Sequence, residues 1–295
     1  MPALRDIRRK IQAVKKTEQI TRAMNMVAAA KLRKVQLRME GFRVYASKYQ
    51  EVISRLAAIS GLEEGAFPLL QKREEIKSIH LVILTADRGL CGAFNANLIA
   101  RAEKFIKEVR EKGQNIILTV FGRRGVSFFN RYYRDIVKKT YEDVVGKVDY
   151  TFVVRMAREL STSFLSGEVD EIYLLYAKFV SMIKQEPTIE RLLPIVPEGV
   201  SEKAVEVEYI YEPKAVEILQ EILPKNINIQ LYSRILENEV SEHASRMRAM
   251  DNATNNCREM VQQLTLVYNK ARQASITKEL MDIVGGAEAL RGRGG

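Results

Sequence analysis

The chain has 295 residues and an apolar share of 46%, enough for one large domain or two smaller ones with cores of their own. No apolar run reaches the roughly 18 residues that a membrane-spanning helix needs, and the first 16 residues lack the apolar core of a signal peptide. Two histidines and two cysteines, without metal-ligand or redox spacing, argue against a metal or redox site. We expect Cys91 and Cys257 to be buried small apolar residues.

The net charge of +10 is confined to one segment. Residues 1–59 contain 14 Lys/Arg and 4 Asp/Glu, a difference of 14 − 4 = +10, whereas the remainder contains 33 of each sign. Such a localised excess indicates an acidic partner surface for this segment and carries no information about the fold.

The first segment, residues 1–59, is predicted to be a single long helix. Residues 4–59 contain one glycine and no proline, and 13 of 16 positions of a heptad frame are apolar. These apolar positions form one stripe along the helix. A single long helix cannot bury such a stripe against its own residues, so it needs a long partner helix. The frame consists of Leu4, Ile7, Ile11, Val14, Glu18, Thr21, Asn25, Ala28, Leu32, Val35, Met39, Phe42, Ala46, Tyr49, Ile53 and Leu56.

The middle of the chain predicts an α/β domain. Residues 60–75 carry Gly, Pro and charge and are typical of a connector. Over residues 76–212, short β-branched runs alternate with amphipathic stretches, which indicates a Rossmann-like open and mostly parallel sheet with helices on its faces. Strands are predicted at 76–85, 115–122, 170–179, 188–195 and 205–211, and helices at 95–112 (with Asn95 as N-cap), 123–131 and 149–166.

The last segment, residues 213–284, predicts a short helix that begins at Pro213 and stops at Pro224, followed by a second long helix. Residues 225–284 contain neither Pro nor Gly, and a second heptad frame fits them as far as Ala271. Gly285 and Gly286 predict the end of this helix, and residues 285–295 a flexible tail. This second frame consists of Ile229, Ser233, Leu236, Val240, His243, Met247, Met250, Thr254, Cys257, Val261, Leu264, Tyr268 and Ala271.

The two long helices are predicted to pair as one antiparallel coiled coil. A register in which Asn25 faces His243 makes the numbers of paired residues sum to about 268 and brings Ile7 opposite Val261. The second helix then extends alone from about Tyr268 to Val284. An apolar stripe on this lone tip consists of Ile276, Leu280, Ile283 and Val284.

No catalytic chemistry is evident. The Walker A sequence is absent, the turn after the first strand lacks GxGxxG spacing, and the two histidines fall in a strand (His80) and at a heptad position (His243). We therefore expect no catalytic, cofactor or metal residue. Two alternatives stay open, namely a basic coiled coil that binds nucleic acid and a small nucleotide-dependent enzyme built on the central domain.

Three motifs carry a family resemblance. IRRKIQAVKKTEQITRAMNMVAAAKLRK (7–34), LTADRGLCGAFNANL (84–98) and SEHASRMRAMDNATNNCREM (241–260), the last followed by LTLVYNKARQASITKELMDIVGGA (264–287), resemble the γ subunit of F-type ATP synthase over the full length. The resemblance implies a non-catalytic rotor shaft inside a ring of three α and three β subunits, with ε and the membrane c-ring at its foot. It also implies peripheral attachment at the cytoplasmic face of the bacterial inner membrane, without a cofactor or nucleic acid.

The resemblance also implies which residues contact the ring. The resemblance implies contacts with acidic loops of the β subunits, called levers, at Met24, Arg88, Cys91 and Arg246. It implies a set of polar contacts with β, called the catch, at Arg272, Gln273 and Thr277. It implies that Ile276, Leu280 and Ile283 lie within an apolar collar at the top of the ring. The tail Arg291–Gly295 departs from the family pattern. The absence of an inserted cysteine pair argues against thiol regulation.

Overall fold

The computed structural model describes residues 4–59, 67–144, 146, 148–196 and 214–291, without the side chains of 57–59, 215 and 286–291. The chain divides into two units. The first consists of Met1–Val27 with Ala249–Gly295, and the second of Ala28–Arg248.

Ten helices and strands follow one another within the described residues. They are α1 (Leu4–Ile59), β1 (Ser78–Leu84), α2 (Phe94–Glu111), β2 (Asn115–Phe121), α3 (Arg123–Tyr132), β3 (Val137–Tyr141), α4 (Tyr150–Leu165), β4 (Glu171–Phe179), β5 (Gln185–Leu193) and α5 (Ala215–Arg291).

The second unit is built on a five-stranded sheet in the order β3-β2-β1-β4-β5. Its strands pair in parallel except β5, which is antiparallel to β4. Alternate strand residues face opposite sides of the sheet. Leu81 and Leu118 pack with α2 and α3, while Val82 and Leu174 pack with α4 and the adjoining parts of α1 and α5. The predicted mostly parallel sheet with helices on both faces is confirmed.

The sheet differs from the sequence prediction at its edges. Strand β3 was missed because its sequence, VKKTY, places lysines at two consecutive positions of an edge strand and has no apolar run. The predicted strand at 205–211 lies outside the described residues.

Asn95 is not the N-cap of α2, because the helix begins one residue earlier, at Phe94. Instead, the Asn95 side chain accepts a hydrogen bond from Ala86 N at 2.9 Å and donates one to Cys91 Sγ at 3.3 Å.

The heptad frames of both long helices are confirmed. Every predicted core position from Leu4 to Leu56 in α1, and from Ile229 to Ala271 in α5, is buried or half-buried. In the second unit, Leu32 and Val35 of α1 form one apolar cluster with Leu236, Val240 and Ala244 of α5. Of the two cysteines, Cys91 is buried as expected, whereas Cys257 is only half-buried, as are the frame positions that follow it.

Helix α5 is longer than predicted at both ends. Pro224 does not separate two helices but lies inside α5. Leu219, Leu223 and Ile227 on either side of it are buried in one cluster, and this burial offsets the backbone hydrogen bond that proline removes. The helix also continues through Gly285 to Arg291, so the predicted stop is wrong. Glycine weakens a helix by about 1 kcal/mol but ends it only where the backbone turns left-handed.

The pairing of α1 with α5 in the first unit corrects the predicted register. Thr254 Oγ1 is hydrogen-bonded to Thr21 Oγ1 at 2.8 Å, and Arg258 Nε contacts Glu18 Oε1 at 3.0 Å. The residue numbers of these pairs sum to 254 + 21 = 275 and 258 + 18 = 276, whereas the predicted register required a sum of about 268. The offset is one heptad, a shift that leaves every core position in the core. By the same arithmetic, 275 − 25 = 250, so Asn25 lies opposite residue 250 rather than His243.

Cysteines at the paired threonines test this register. We expect Thr21→Cys with Thr254→Cys, in a background with Cys91→Ala and Cys257→Ser, to form an intrachain disulfide on mild oxidation because the two side chains already touch. The faster mobility of the oxidised chain on a non-reducing gel measures it.

The matched control places cysteines at Ile7 and Val261, which the predicted register brings together. This pair should stay largely reduced under the same oxidation. Efficient cross-linking of Ile7→Cys with Val261→Cys, without cross-linking of the threonine pair, would reject the register of 275.

A neutral histidine is buried inside the sheet domain. His80 is 3% exposed, and its Nε2 is hydrogen-bonded to Thr119 Oγ1 at 2.9 Å. Burial lowers the pKa of His80 from its ordinary value of 6.5 to about 4, with a further decrease from the nearby charge of Lys138. The folded protein therefore holds His80 as the uncharged imidazole down to mildly acidic pH.

This pKa predicts a loss of stability in acid. Below pH 6.5 the unfolded chain binds a proton at His80 that the folded chain does not, so the free energy of unfolding decreases until about pH 4. The decrease is on the order of 3 kcal/mol from this group. Urea unfolding of the full chain at pH 7 and pH 4.5 measures it. His80→Gln, which can keep the bond to Thr119, should lose less stability over this interval, and an equal loss in both proteins would contradict the assignment.

Candidate functional site: a sheet-edge turn and an exposed helix tip

The turn after β1, residues 85–92, is fixed to the neighbouring strand. Thr85 Oγ1 donates to Phe121 O at 2.6 Å and accepts from Gly125 N at 2.9 Å. Gly122 has φ +86°, and a Cβ added there would lie 2.2 Å from Thr85 O. Only glycine fits this contact, so the turn and the start of α3 are held at a fixed separation.

The crevice where open α/β sheets bind ligands is occupied by the chain's own groups. Such ligands bind at the carboxyl ends of the strands, often against a helix N-terminus. Here Asp87 Oδ1 accepts from Arg123 N, the first residue of α3, at 3.0 Å, and from Asp143 N at 2.9 Å. The Asp87 carboxylate thus sits where a bound phosphate would be expected.

Arg246 of α5 holds the turn from the other side. Its Nη2 donates to Arg88 O at 3.2 Å and its Nε to Gly89 O at 3.4 Å. Its Nη1 forms an ion pair with Glu242 Oε1 at 2.7 Å, and both side chains are largely buried, at 12% and 6% exposure. Since a buried guanidinium is costly without partners, the carboxylate and the carbonyls fix its position.

Cys91 lies beneath this turn rather than on its surface. Its side chain is 1% exposed, and burial raises the pKa of the thiol. Leu90 beside it has φ +60° and is 62% exposed. The surface that the turn offers to a partner therefore consists of Arg88 and Leu90, with Cys91 as an internal support.

The second surface is the tip of α5 in the first unit. All described side chains from Ile276 to Gly285 are exposed. On a helix, Ile276, Leu280, Ile283 and Val284 share one face, and their exposed fractions lie between 47% and 68%. Isolated exposed apolar residues are common, but a continuous apolar helix face indicates a contact with another protein.

The outer face of α1 is basic and uncompensated. Eleven of its lysines and arginines are exposed without an ion pair in the described part of the chain, and nine of these lie between positions 8 and 34. These nine are Arg8, Arg9, Lys10, Lys15, Lys16, Arg22, Lys31, Arg33 and Lys34.

The structure brings some of the predicted contact residues together. Arg88, Cys91 and Arg246 lie within one cluster in the second unit. Met24 is half-buried in the first unit, whose exposed predicted contacts are Arg272, Gln273, Ile276, Thr277, Leu280 and Ile283. Sequence reasoning missed Glu242, although its position four residues before Arg246 is a recognised helix ion-pair spacing.

Across the described ranges, no group of three or more His, Cys, Asp or Glu side chains could hold a metal ion. None of the helices in those ranges combines the length and the apolar character needed to cross a bilayer.

Solved structures share this fold. A chain of the Tetrahymena thermophila mitochondrial ATP synthase, from a structure of its central stalk and c-ring, is 24% identical with a TM-score of 0.59 and covers 79% of this chain and 99% of that one. A chain of the Euglena gracilis mitochondrial ATP synthase is 19% identical with a TM-score of 0.65 and covers 97% and 94%. At these identities the likeness concerns the fold.

Sequence relatives carry the assignment further. The ATP synthase gamma chain of Syntrophobacter fumaroxidans is 51% identical over 294 residues and covers 99% of this chain and 100% of its own. That of Desulfosudis oleivorans is 47% identical over 300 residues with the same coverage. A family model described as ATP synthase matches residues 3–290. The chain belongs to the ATP synthase gamma chain family.

Proposed function

We propose that this protein is the central rotor shaft of an F-type ATP synthase. It transmits rotation of the membrane c-ring to the catalytic sites of a ring of three α and three β subunits, and so couples ion flow to ATP synthesis or hydrolysis. It is a non-catalytic subunit, peripheral to the cytoplasmic face of the bacterial inner membrane, with ε as a further partner. The exposed apolar tip of α5 is the observation that supports this role most directly.

The tip fits a bearing better than a permanent interface. Its apolar face is one helix wide, and apolar contact is non-directional, so the face can slide past a surrounding collar without breaking specific bonds. The polar side chains Arg272, Gln273 and Thr277 precede or flank it and are exposed. We propose that these three form the polar catch with β, and that Ile276, Leu280 and Ile283 turn within the collar.

The basic face of α1 fits exchangeable contacts with acidic loops. Exposed ion pairs contribute about 0–1 kcal/mol each, so they can be broken and remade as the shaft turns. Arg22, Lys31 and Arg33 are examples that lack an ion-pair partner among the described residues. We propose that Met24 in the first unit contacts the acidic lever loops of the β subunits. We propose the same role for the turn surface at Arg88 in the second unit, which Arg246 and Cys91 position.

The central domain supports a non-catalytic role. At the carboxyl ends of β1 and β2, the Asp87 carboxylate takes up the first N–H group of α3, and Arg246 bonds the same turn through Arg88 O. A phosphate at the N-terminus of α3 would have to displace an anion that already accepts two backbone N–H groups. We therefore expect no ATP turnover by the isolated chain.

Reconstitution tests the proposed function. Mixing the chain with matching α and β subunits should yield ATPase activity and, with β fixed to a surface, stepwise rotation of a probe attached to the central domain. The chain alone should be inactive. Activity of the isolated chain, or salt-sensitive retention on DNA with no affinity for the α/β ring, would reject the proposal in favour of an enzyme or a nucleic-acid-binding coiled coil.

The tip offers a second test. Replacing Ile276, Leu280 and Ile283 by serine should weaken binding to the α/β ring about tenfold or more, because apolar area that the collar covers is lost. The matched control replaces Lys278 and Asp282, which are exposed on the opposite face, by serine and should leave the affinity nearly unchanged. Equal effects of the two sets, measured by titration of the ring, would exclude the apolar face as the contact.

A further inference from the structure

The way in which α5 is attached to β4 has a consequence for the proposed rotor. Strand β1 pairs with β4 only as far as Ile83 opposite Leu175. Beyond that point β4 continues to Phe179 without β1 beside it. Backbone N–H groups of alternate residues point to the same side of a strand, so the N–H groups of Ala177 and Phe179 share one side.

Two side chains of α5 take up these N–H groups. Asn238 Oδ1 accepts from Ala177 N at 2.9 Å, and Glu237 Oε1 accepts from Phe179 N at 3.1 Å. Asn238 is 3% exposed, and the Glu237 side chain is 14% exposed. Consecutive residues of a helix therefore supply the acceptors that a neighbouring strand would have supplied.

Further polar contacts extend this attachment along α5. Ser245 Oγ donates to Gln185 Oε1 at 2.7 Å at the start of β5, and the Arg248 guanidinium donates to Ile183 O in the β4–β5 turn. Arg246 reaches the turn after β1 through Arg88 O. Arg234 Nε also forms an ion pair with Glu190 Oε2 of β5 at 2.6 Å, so the polar contacts lie along α5 between residues 234 and 248.

The apolar contacts in the same region cannot provide the same mechanical resistance. Phe179 and Met182 pack against the cluster formed by Leu32, Leu236 and Val240. Apolar packing stabilises the contact but is non-directional, so side chains can slide over one another. Hydrogen bonds to backbone groups weaken steeply when distance or angle changes, and they resist shear between a helix and a strand.

We propose that the Glu237–Asn238 pair of α5 is the joint through which torque passes between the sheet domain and the shaft. The proposal rests on the rotor function and adds the residues that carry the load. Glu237 and Asn238 are positioning residues, because they hold α5 against β4 and touch neither nucleotide nor the ring. Their loss leaves the shaft attached by apolar packing, by the ion pair of Arg234 with Glu190 and by the contacts of residues 245–248, which makes the connection more compliant.

The test uses the assembled ATP synthase with a probe attached to the sheet domain and β fixed to a surface. With Glu237→Leu and Asn238→Leu, we expect the angular variance of the probe in the stalled enzyme to increase about twofold. We expect fewer ions to be pumped per ATP hydrolysed, while ATP hydrolysis continues. Glu237→Gln and Asn238→Asp, which keep a carbonyl or carboxylate acceptor, should restore both readouts toward the wild-type values.

The matched control is Gln220→Leu, an exposed amide on the same helix, which should behave as wild type. Unchanged angular variance and pumping in the leucine double variant would overturn the joint. An equal increase in variance and loss of pumping in the conservative variants or in the control would overturn it as well.

If the leucine double variant does not assemble, hydrogen exchange of the β4 amides provides the test. The amides of Ala177 and Phe179 should be protected in the wild-type complex, and Asn238→Leu alone should expose the first.

The two proposals fail in different ways. If the probe on the wild-type enzyme does not rotate, the rotor function itself is wrong. If it rotates and the leucine pair is as stiff and as well coupled as the wild type, only the joint is wrong.

Discussion

The long apolar stripe of α1 is the constraint on which the rest of the architecture depends. A single helix of 56 residues with a core position at every third or fourth residue cannot bury its apolar stripe against its own residues. Its partner is α5, which lies at the other end of the chain, so an entire α/β domain has to be accommodated between the two. The inserted domain is therefore tied to the paired helices by topology.

Helix α5 serves two environments with different chemistry. Residues 219–248 contain the buried Asn226, Asn238, Glu239 and Glu242, which is an unusual density of buried polar groups for a helix. Asn238 among them accepts from a strand backbone N–H, that of Ala177, and Glu242 pairs with Arg246. From Cys257 to Gly285 the side chains are half-buried or exposed, and from Ile276 onward all of these are exposed. One helix thus changes along its length from a structural support of the sheet domain to an exposed apolar surface.

The sequence predicted the elements better than their relations. Heptad spacing identified both long helices and their core positions, because burial on one stripe leaves a period that no other arrangement explains. It could not set the register, since a shift of seven residues preserves the heptad pattern. The register is decided by the contacts of Thr21 with Thr254 and of Glu18 with Arg258. Pro224 was read as a boundary because sequence rules do not register the burial of Leu219 and Leu223 beside it. Glu237 and Asn238 resembled ordinary polar residues of a helix, because their partners are backbone groups 58 and 61 residues away.

The exposed tip of α5 also bears on how a cell has to produce this protein. Met281 and Ile283 are each 68% exposed, and the apolar face they adjoin has no cover among the described residues. A chain that accumulates ahead of its partners presents this face to other copies of itself, and exposed apolar surface of this kind promotes aggregation and proteolysis. Synthesis matched to that of the surrounding subunits, or a chaperone that shields the tip until they arrive, is therefore as much a requirement of this fold as the stiffness of its paired helices.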